Sequence, residues 1–330
     1  MKICVIGAGA MGCAYGGLLT RAGHAVTLVD IWPEHVAALN TQGLHLDGVV
    51  GDLHFPVSAQ CEVPVGLDAD LAMIWTDTNN TRAAAEAADR VLAADGYAIT
   101  LQNGIGNVET LVEVLGKARV AAGSSMCSAA MRGPGHASLT HRGMTSIGEI
   151  DGGGSTRLDG LLEALQQAGF EARIHPTIMS LVWTKFTINC SINALCATSG
   201  LRLGELARLP AMDRLQDRVI DEILAVTAAK GITLDEPDLR GKVKAHCWAK
   251  FSRPSMLQHM EAGKRTEIHA LNARLVEEGR SLGVPTPYNE AVACLLQGVE
   301  HKRRDVAGRS EADYQALEEQ ARNEPRPPRA

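Results

Sequence analysis

A glycine-rich turn directly after a short apolar run constrains the fold of this chain more than any other feature. The run KICVI (2–6) is typical of a buried strand. Three glycines in a GxGxxG pattern follow it: Gly7, Gly9 and Gly12. Residues 11–22 then read as a helix, and AVTLV (25–29) reads as a second strand. This succession predicts the βαβ unit that a dinucleotide-binding turn requires.

The glycines have distinct physical roles. Gly7 permits the tight turn, Gly9 lets a pyrophosphate approach the backbone, and Gly12 lets helix and strand pack closely. A phosphate would then meet unpaired N–H groups at the helix N-terminus, so Ala10 and Met11 are predicted to bind the cofactor together with the glycines. The alternative interpretation is a glycine turn in a Rossmann-like fold that binds no nucleotide.

Asp30 ends the second predicted strand, where a carboxylate can hydrogen-bond ribose hydroxyls. The carboxylate would repel a 2′-phosphate, so it favours NAD over NADP. An aspartate that only caps the following loop is the alternative.

Strand and helix patterns alternate through the first half, which predicts βαβ units and a parallel sheet. Further elements are predicted at 70–75, 80–93, 97–102, 107–115 and 118–123. Residues 136–150 look like a hairpin that turns at Arg142-Gly143. A helix at 155–168 and a strand at 170–174 complete this half.

Strand patterns end near Thr177, and long helical patterns follow at 178–198, 211–230, 255–280 and 288–302. The predicted fold class is α/β, with an N-terminal Rossmann-type doubly wound parallel sheet and a C-terminal all-helical domain. We expect a dinucleotide-binding domain at 1–176, a helical substrate and dimerisation domain at 177–302, and a charged, flexible tail at 303–330.

Composition excludes several classes of protein. The net charge is −6 without a long basic block, and only 4% of residues are aromatic, so no nucleic-acid partner is expected. None of the eight cysteines forms a CxxC pair or a Cys/His cluster with zinc-like spacing, which predicts a reducing, cytoplasmic setting and no metal site. No signal peptide or membrane-spanning stretch is recognisable, so no membrane partner is expected.

Three polar residues recur in VWTKFTINCSINALCATSG at the helical spacing i, i+4, i+8, which places Lys185, Asn189 and Asn193 on one helix face. Their neighbours are apolar or small, and buried polar groups need partners. The alternative is a polar stripe on a helix edge, with the Lys185 ammonium reaching water.

Two other segments carry candidate residues. Asn103 lies in LQNGIGN (101–107), after a predicted strand, and is either a turn former or a ligand contact at the carboxyl end of the sheet. Ser255 can cap a helix in SRPSMLQHMEAGKRTEIHALN. Glu267 in the same stretch could pair with a lysine or be solvated.

Together these residues resemble the ketopantoate reductase (2-dehydropantoate 2-reductase) family. The resemblance rests on GAGAMG, LQNGIGN, WTKFTINCSIN and SMLQHMEAGKRTEIHALN in this order, and it spans residues 1 to about 300. It implies reduction of a 2-keto acid with a nicotinamide cofactor, in which Lys185 is the general acid and Glu267 holds the lysine in place. The other matched positions are Asn103 beside the nicotinamide and the substrate-contacting Asn189, Asn193 and Ser255.

The chain departs from the family pattern mainly at the cofactor side. Asp30 replaces the basic residue that suits NADPH, and Asp77 in WTDTNNT replaces a lysine. Both changes remove positive charge, so NAD is favoured although NADP is the family norm. The common LQD and TEID motifs also become Leu257-Gln258-His259 and Thr266-Glu267-Ile268-His269. The family includes NAD-using D-mandelate dehydrogenases, and these departures suggest that the sequence lies nearer to them.

The expected function is therefore reduction of a 2-keto acid, 2-dehydropantoate or a similar compound, to the 2-hydroxy acid. An NAD-dependent D-2-hydroxy acid dehydrogenase is the main alternative. A 3-hydroxyisobutyrate-type dehydrogenase shares the GxGxMG start and the Lys-xxx-Asn helix, and a non-catalytic dinucleotide sensor would keep the glycines alone. The predicted partner is a small 2-keto or 2-hydroxy acid, and the apolar helical half is compatible with a homodimer.

Overall fold

The computed structural model of the chain describes residues 1–306 and 314–323. Strands in these residues are β1 (Lys2–Ile6), β2 (Ala25–Val29), β3 (Leu44–Gly48), β4 (Leu53–Phe55), β5 (Ser58–Gln60), β6 (Ala69–Ile74), β7 (Leu92–Thr100), β8 (Val120–Ser125), β9 (Ser128–Gly133), β10 (His136–His141), β11 (Thr145–Glu149) and β12 (Ala172–Ile174). Helices are α1 (Ala10–Arg21), α2 (Pro33–Gln42), α3 (Thr81–Val91), α4 (Asn107–Leu115), α5 (Thr156–Gln167), α6 (Ile178–Ser199), α7 (Leu203–Arg208), α8 (Pro210–Ala229), α9 (Leu239–Ala249), α10 (Ser255–Glu261), α11 (Asn272–Leu282), α12 (Pro287–Val306) and α13 (Tyr314–Asn323).

The large sheet has the strand order β12-β11-β8-β7-β6-β1-β2-β5 within the described residues. Its neighbouring strands are parallel except for the antiparallel pair β8–β11. Ile3 and Val5 face one core, while Cys4 and Ile6 face the other. A strand that is buried on both faces reads as a continuous apolar run, which explains the KICVI pattern. The predicted fold class is confirmed, and β1 lies in the interior of the sheet, between β6 and β2.

A smaller sheet of order β4-β3-β10-β9 packs beside α1. The predicted hairpin at 136–150 is wrong, because β10 pairs with β9 and β3, whereas β11 pairs with β8 and β12 of the large sheet. The true hairpin is β9–β10, and Gly135 at its turn has a φ of +72°. Residues 142–144 carry the chain from one sheet to the other. Strands β3, β4, β5 and β9 were not predicted.

The helices α6–α12 form the second half, packed around α6. The single helix predicted at 255–280 is wrong, because α10 ends in a Schellman motif at Gly263. Gly263 has a φ of +67°, and the Lys264 N–H donates to His259 O at 2.9 Å. Helices α2, α7 and α9 were not predicted. The predicted capping role of Ser255 is also wrong, because Ser255 is the first residue of α10 and Pro254 precedes it at the cap.

The predicted flexible tail is only partly described. Residues 303–306 end α12 and Tyr314–Asn323 form α13, while 307–313 and 324–330 lie outside the described residues. Among the described helices, none has the length and apolar character needed to cross a membrane. All eight cysteines are free thiols, and five of them are buried: Cys4, Cys13, Cys190, Cys196 and Cys247.

Candidate active site

The glycine turn between β1 and α1 has two packed positions and one open position. Gly7 has a φ of +95°, and a Cβ added there would lie 2.6 Å from Thr76 N. A Cβ on Gly12 would lie 2.1 Å from Gly7 O, whereas a Cβ on Gly9 would meet no atom within 4 Å. Gly7 and Gly12 therefore serve the fold, and the backbone at Gly9 is accessible to a ligand.

The N-terminus of α1 offers hydrogen-bond donors beside that opening. Gly9 is the N-cap residue and has no side chain that could accept a hydrogen bond from the first turn. Ala10 and Met11 are half-buried in this turn, so their backbones border the open position. Free N–H groups and the positive end of the helix dipole suit a phosphate. The residues present therefore fit the pyrophosphate of a dinucleotide cofactor.

His35, which the sequence analysis missed, supports the glycine turn from α2. The side chain is buried; Nδ1 accepts a hydrogen bond from Gly135 N at 2.9 Å, and Nε2 lies 2.9 Å from Ala8 O. Because Nδ1 accepts, Nε2 carries the proton and donates to Ala8 O. This neutral histidine joins the cofactor turn to the small sheet. The available signal was a lone histidine on the apolar helix face formed by Val36 and Leu39.

Asp30 follows β2 with a half-buried side chain. Its Oδ1 accepts a hydrogen bond from Trp32 N at 3.1 Å, which is the geometry of a loop cap. Oδ2 makes no hydrogen bond to any described residue and remains available to a ligand hydroxyl. Capping and ribose binding are therefore compatible at this residue.

The loop LQNGIGN leaves the carboxyl end of β7 and is fixed by amide side chains. Gln102 Nε2 donates to Thr76 O at 2.7 Å, which ties the loop to the end of β6. Asn107 Nδ2 donates to Asn103 O at 2.9 Å, which fixes the backbone at Asn103. The Asn103 side chain makes its hydrogen bond outside the loop.

This side chain reaches the helical half of the chain. Asn103 Nδ2 donates to Glu267 Oε2 at 3.2 Å, across 164 residues of sequence. Gly104 has a φ of +85°, and a Cβ added there would lie 2.5 Å from Ala270 O. The loop therefore packs directly against the short turn that carries Glu267, and Asn103 holds that carboxylate.

Lys185 on α6 points back to the sheet, where its Nζ donates to Ser125 O at 2.5 Å. Burial lowers the pKa of Lys185 to about 8, while the negative charge of Glu267 acts in the opposite direction. The Lys185 ammonium and the Glu267 carboxylate do not form an ion pair within 4.0 Å; instead, Glu267 bonds to Asn103. Glu267 thus influences the lysine through its charge, and Ser125 holds it directly.

A network of hydroxyl groups, which the sequence did not reveal, holds Ser125, the residue whose backbone oxygen accepts the hydrogen bond from Lys185. Ser125 Oγ lies 2.8 Å from Tyr15 OH, and Tyr15 OH lies 2.5 Å from Thr145 Oγ1. Cys127 N donates to Ser125 Oγ at 3.1 Å. Burial raises the pKa of Tyr15 well above its ordinary value, so Tyr15 stays a neutral donor. Since Tyr15 belongs to α1, the network links the cofactor helix to the Lys185 region.

The amides of Asn189 and Asn193 extend the Lys185 face of α6. Asn189 is half-buried and Asn193 is buried, yet neither side chain forms a hydrogen bond to any described residue. Unpaired amides beside an ammonium can bind a polar ligand. Ser255 is exposed on α10, which packs against α6, and its hydroxyl has no hydrogen bond within the described chain.

Comparison with known proteins places this chain in a family. The family model described as ketopantoate reductase PanE/ApbA matches residues 3–152, and its C-terminal counterpart matches residues 177–300. The 2-dehydropantoate 2-reductase of Archaeoglobus fulgidus is 32% identical over 300 residues, with 91% of this chain and 98% of the relative covered. The enzyme of the same name from Pyrococcus abyssi is 30% identical over the same length and coverage.

Solved structures agree with these sequence matches. A PanE/ApbA family ketopantoate reductase from Ralstonia eutropha has a TM-score of 0.85 at 32% identity, covering 92% of this chain and 100% of the other. A D-mandelate dehydrogenase determined with NADH and anilino(oxo)acetate has a TM-score of 0.83 at 25% identity, covering 92% and 99%. The fold is thus that of a Rossmann-type oxidoreductase. The chain belongs to the ketopantoate reductase family.

Proposed function

We propose that this protein reduces a 2-keto acid, 2-dehydropantoate or a close analogue, to the corresponding 2-hydroxy acid with a nicotinamide cofactor, NAD being preferred. The observation that carries the proposal is the Lys185 ammonium, held at the end of β8 beside two amides that have no partner in the described part of the chain. A proton donor and polar anchors on one helix face suit a substrate with a carbonyl and a carboxylate.

The chemistry is divided between the cofactor and the protein. A nicotinamide cofactor supplies the hydride when it is bound. Lys185 donates a proton to the carbonyl oxygen and stabilises the negative charge that develops there. With a pKa of about 8, the amine is mostly protonated at neutral pH and still gives up its proton readily.

The neighbouring residues position this proton donor. Glu267, held by Asn103, keeps a negative charge near the ammonium and so favours its protonated form. Asn189, Asn193 and Ser255 are assigned to the substrate, since their side chains have no partner among the described residues. We assign Asn103 to the junction of the nicotinamide and the substrate.

A second candidate is an NAD-dependent D-2-hydroxy acid dehydrogenase of the mandelate type. The aspartates at positions 30 and 77 favour this alternative, because they remove positive charge from the cofactor side. The relative with D-mandelate activity in its name was determined with NADH. In this oxidative direction, neutral Lys185 would accept the hydroxyl proton.

The proposal also assigns the cofactor and the substrate to different parts of the chain. We assign the cofactor to residues 1–176 and the substrate to 177–302, with the reaction in the cleft between them. The contacts Asn103–Glu267 and Lys185–Ser125 support this assignment, because each joins the two parts. Assembly as a homodimer and a cytoplasmic setting complete the proposal.

A spectrophotometric screen tests the function. Purified protein is offered 2-keto acids with NADH or NADPH, and 2-hydroxy and 3-hydroxy acids with NAD or NADP. We expect turnover of a 2-keto acid, fastest with NADH. Turnover confined to 3-hydroxy acids would instead indicate a 3-hydroxyisobutyrate-type enzyme. Cofactor binding without any turnover would indicate a dinucleotide sensor.

The role of Asp30 predicts a cofactor preference that can be measured directly. We expect NADH to bind more tightly than NADPH, and Asp30→Asn to strengthen NADPH binding about tenfold or more by removing a repulsive charge. Titrations of cofactor fluorescence give both dissociation constants. Asparagine still accepts the hydrogen bond from Trp32 N. An unchanged ratio of affinities in Asp30→Asn would therefore show that Asp30 only caps the loop.

A further inference from the structure

Three histidines stand side by side on the small sheet. His54 on β4 pairs in register with His45 on β3, and His45 pairs with His136 on β10. Their rings are stacked, with centroids 3.9 Å apart for His45 and His54 and 3.7 Å apart for His45 and His136. The row presents several imidazole nitrogens at one place, and none of the three histidines is among the residues assigned to the reaction.

Two aspartates lie against this row. Asp52 Oδ1 is 2.7 Å from His45 Nε2 and 3.4 Å from His54 Nε2. Asp47 Oδ2 is 2.9 Å from His136 Nε2. Two overlapping sets of three possible ligands result, an outer set of His45, Asp52 and His54 and an inner set of His45, Asp47 and His136. Within each set, the ligand atoms lie within 4.8 Å of one another.

Burial distinguishes the two sets. The inner side chains are 28%, 31% and 29% exposed for His45, Asp47 and His136, whereas Asp52 and His54 in the outer set are 74% and 62% exposed. Asp47 Oδ1 is buried and has no hydrogen-bond partner in the described structure. A buried carboxylate oxygen without a partner calls for an explanation, and a cation supplies one.

We propose that His45, Asp47 and His136 bind a divalent first-row transition-metal ion, with Zn²⁺ as the reference case. Imidazole nitrogen and carboxylate oxygen are ligands that Zn²⁺ accepts, and three protein ligands leave a position for water.

The spacing of these residues along the chain matches no metal-binding sequence motif. His45 and Asp47 are neighbours on one face of β3, but His136 is far along the chain and reaches them only through the parallel pairing of β3 with β10. The expectation of no metal site rested on spacing along the chain, which does not reveal ligands that strand pairing brings together.

An ion at this position would join β3 to β10 close to the turn that supports the cofactor loop. Gly135 lies directly before His136, its oxygen accepts from His45 N at 2.9 Å, and its N–H donates to His35. Metal binding would thus stabilise the small sheet. This inference concerns a site separate from the proposed reaction and does not depend on it.

Isothermal titration calorimetry with Zn²⁺ tests the proposal on the full-length protein, freed of any histidine tag, treated with a chelator and desalted. We expect one site of micromolar affinity or tighter. His136→Ala and Asp47→Asn should each weaken binding by about tenfold or more, while His54→Ala should change it by less than about twofold. Zn²⁺ should also raise the Tm of the wild type, but not of Asp47→Asn.

Control variants measure how much Zn²⁺ binds to other exposed histidine and cysteine side chains. His141→Ala removes an exposed histidine from the end of β10, the strand that carries His136, and should leave binding unchanged. Replacing the exposed thiols of Cys61 and Cys294 by serine should also leave the site intact. Circular dichroism confirms that each variant is folded. Absence of a single site, or wild-type affinity in His136→Ala, overturns the proposal, as does loss of binding in His54→Ala alone.

Discussion

Lys185→Ala is expected to lower kcat/KM for reduction by about 10²- to 10⁴-fold, because the variant has neither the proton donor nor the positive charge beside the carbonyl oxygen. Affinity for NADH should stay near the wild-type value, since the glycine turn does not contact the lysine. Steady-state kinetics and a fluorescence titration on the same preparation give both numbers. Near-full turnover by Lys185→Ala would refute the assigned role.

The pH dependence provides an independent test of this residue. Below about pH 8 the amine is protonated, so kcat/KM for reduction should be level there and should fall as pH rises through about 8. In the oxidative direction the neutral amine is required, so kcat/KM should rise through the same pH. Lys185→Arg keeps the charge but does not titrate in this range, and its residual activity should lose this step.

Gly104→Ala is expected to lower kcat/KM by about 10²-fold, because misplacement of reacting groups by about 1 Å can have an effect of that size. A Cβ at this position would lie 2.5 Å from Ala270 O, so the loop and the turn that carries Glu267 must separate. The hydrogen bond between Asn103 and Glu267 would then be lost. Thermal unfolding and steady-state kinetics on the variant measure the two effects.

Gly116→Ala is the matched control for this substitution. Gly116 also has a positive φ, +79°, but an added Cβ meets no atom within 4 Å. Both variants carry the backbone strain of roughly 1–3 kcal/mol that a side chain suffers at a positive φ, and both should lose stability. Only Gly104→Ala should lose activity beyond the change in folded fraction. Equal activity of the two variants would contradict the role of the loop contact.

The sequence predicted those elements that local pattern determines. The helix predicted at 107–115 is α4, Asn107–Leu115, because glycines precede and follow a clean apolar face. The helix at 178–198 is also found, as α6, Ile178–Ser199. The hairpin at 136–150 failed for a physical reason, since both strands were real but each pairs within a different sheet. Strand pairing depends on distant partners, which one sequence does not reveal.

The same limit applies to the site. The face of Lys185, Asn189 and Asn193 followed from helical spacing alone, and α6 contains all three. The partner of Lys185 is a backbone oxygen of Ser125, which has no signature in sequence. Glu267 was expected to hold the lysine, and the structure shows it bonded to Asn103 instead. Contacts of this kind arise from the tertiary fold and are not encoded in local patterns.

The hydrogen bond between Asn103 and Glu267 also has a consequence for folding kinetics. It joins residues 164 positions apart, and the Lys185–Ser125 contact joins residues 60 apart. Contacts between distant residues close large loops, and the entropy lost in closing them makes such contacts slow to form. In a refolding experiment, helical signal from α6 should therefore return before turnover does. The rate at which turnover returns would therefore measure the last long-range step of folding.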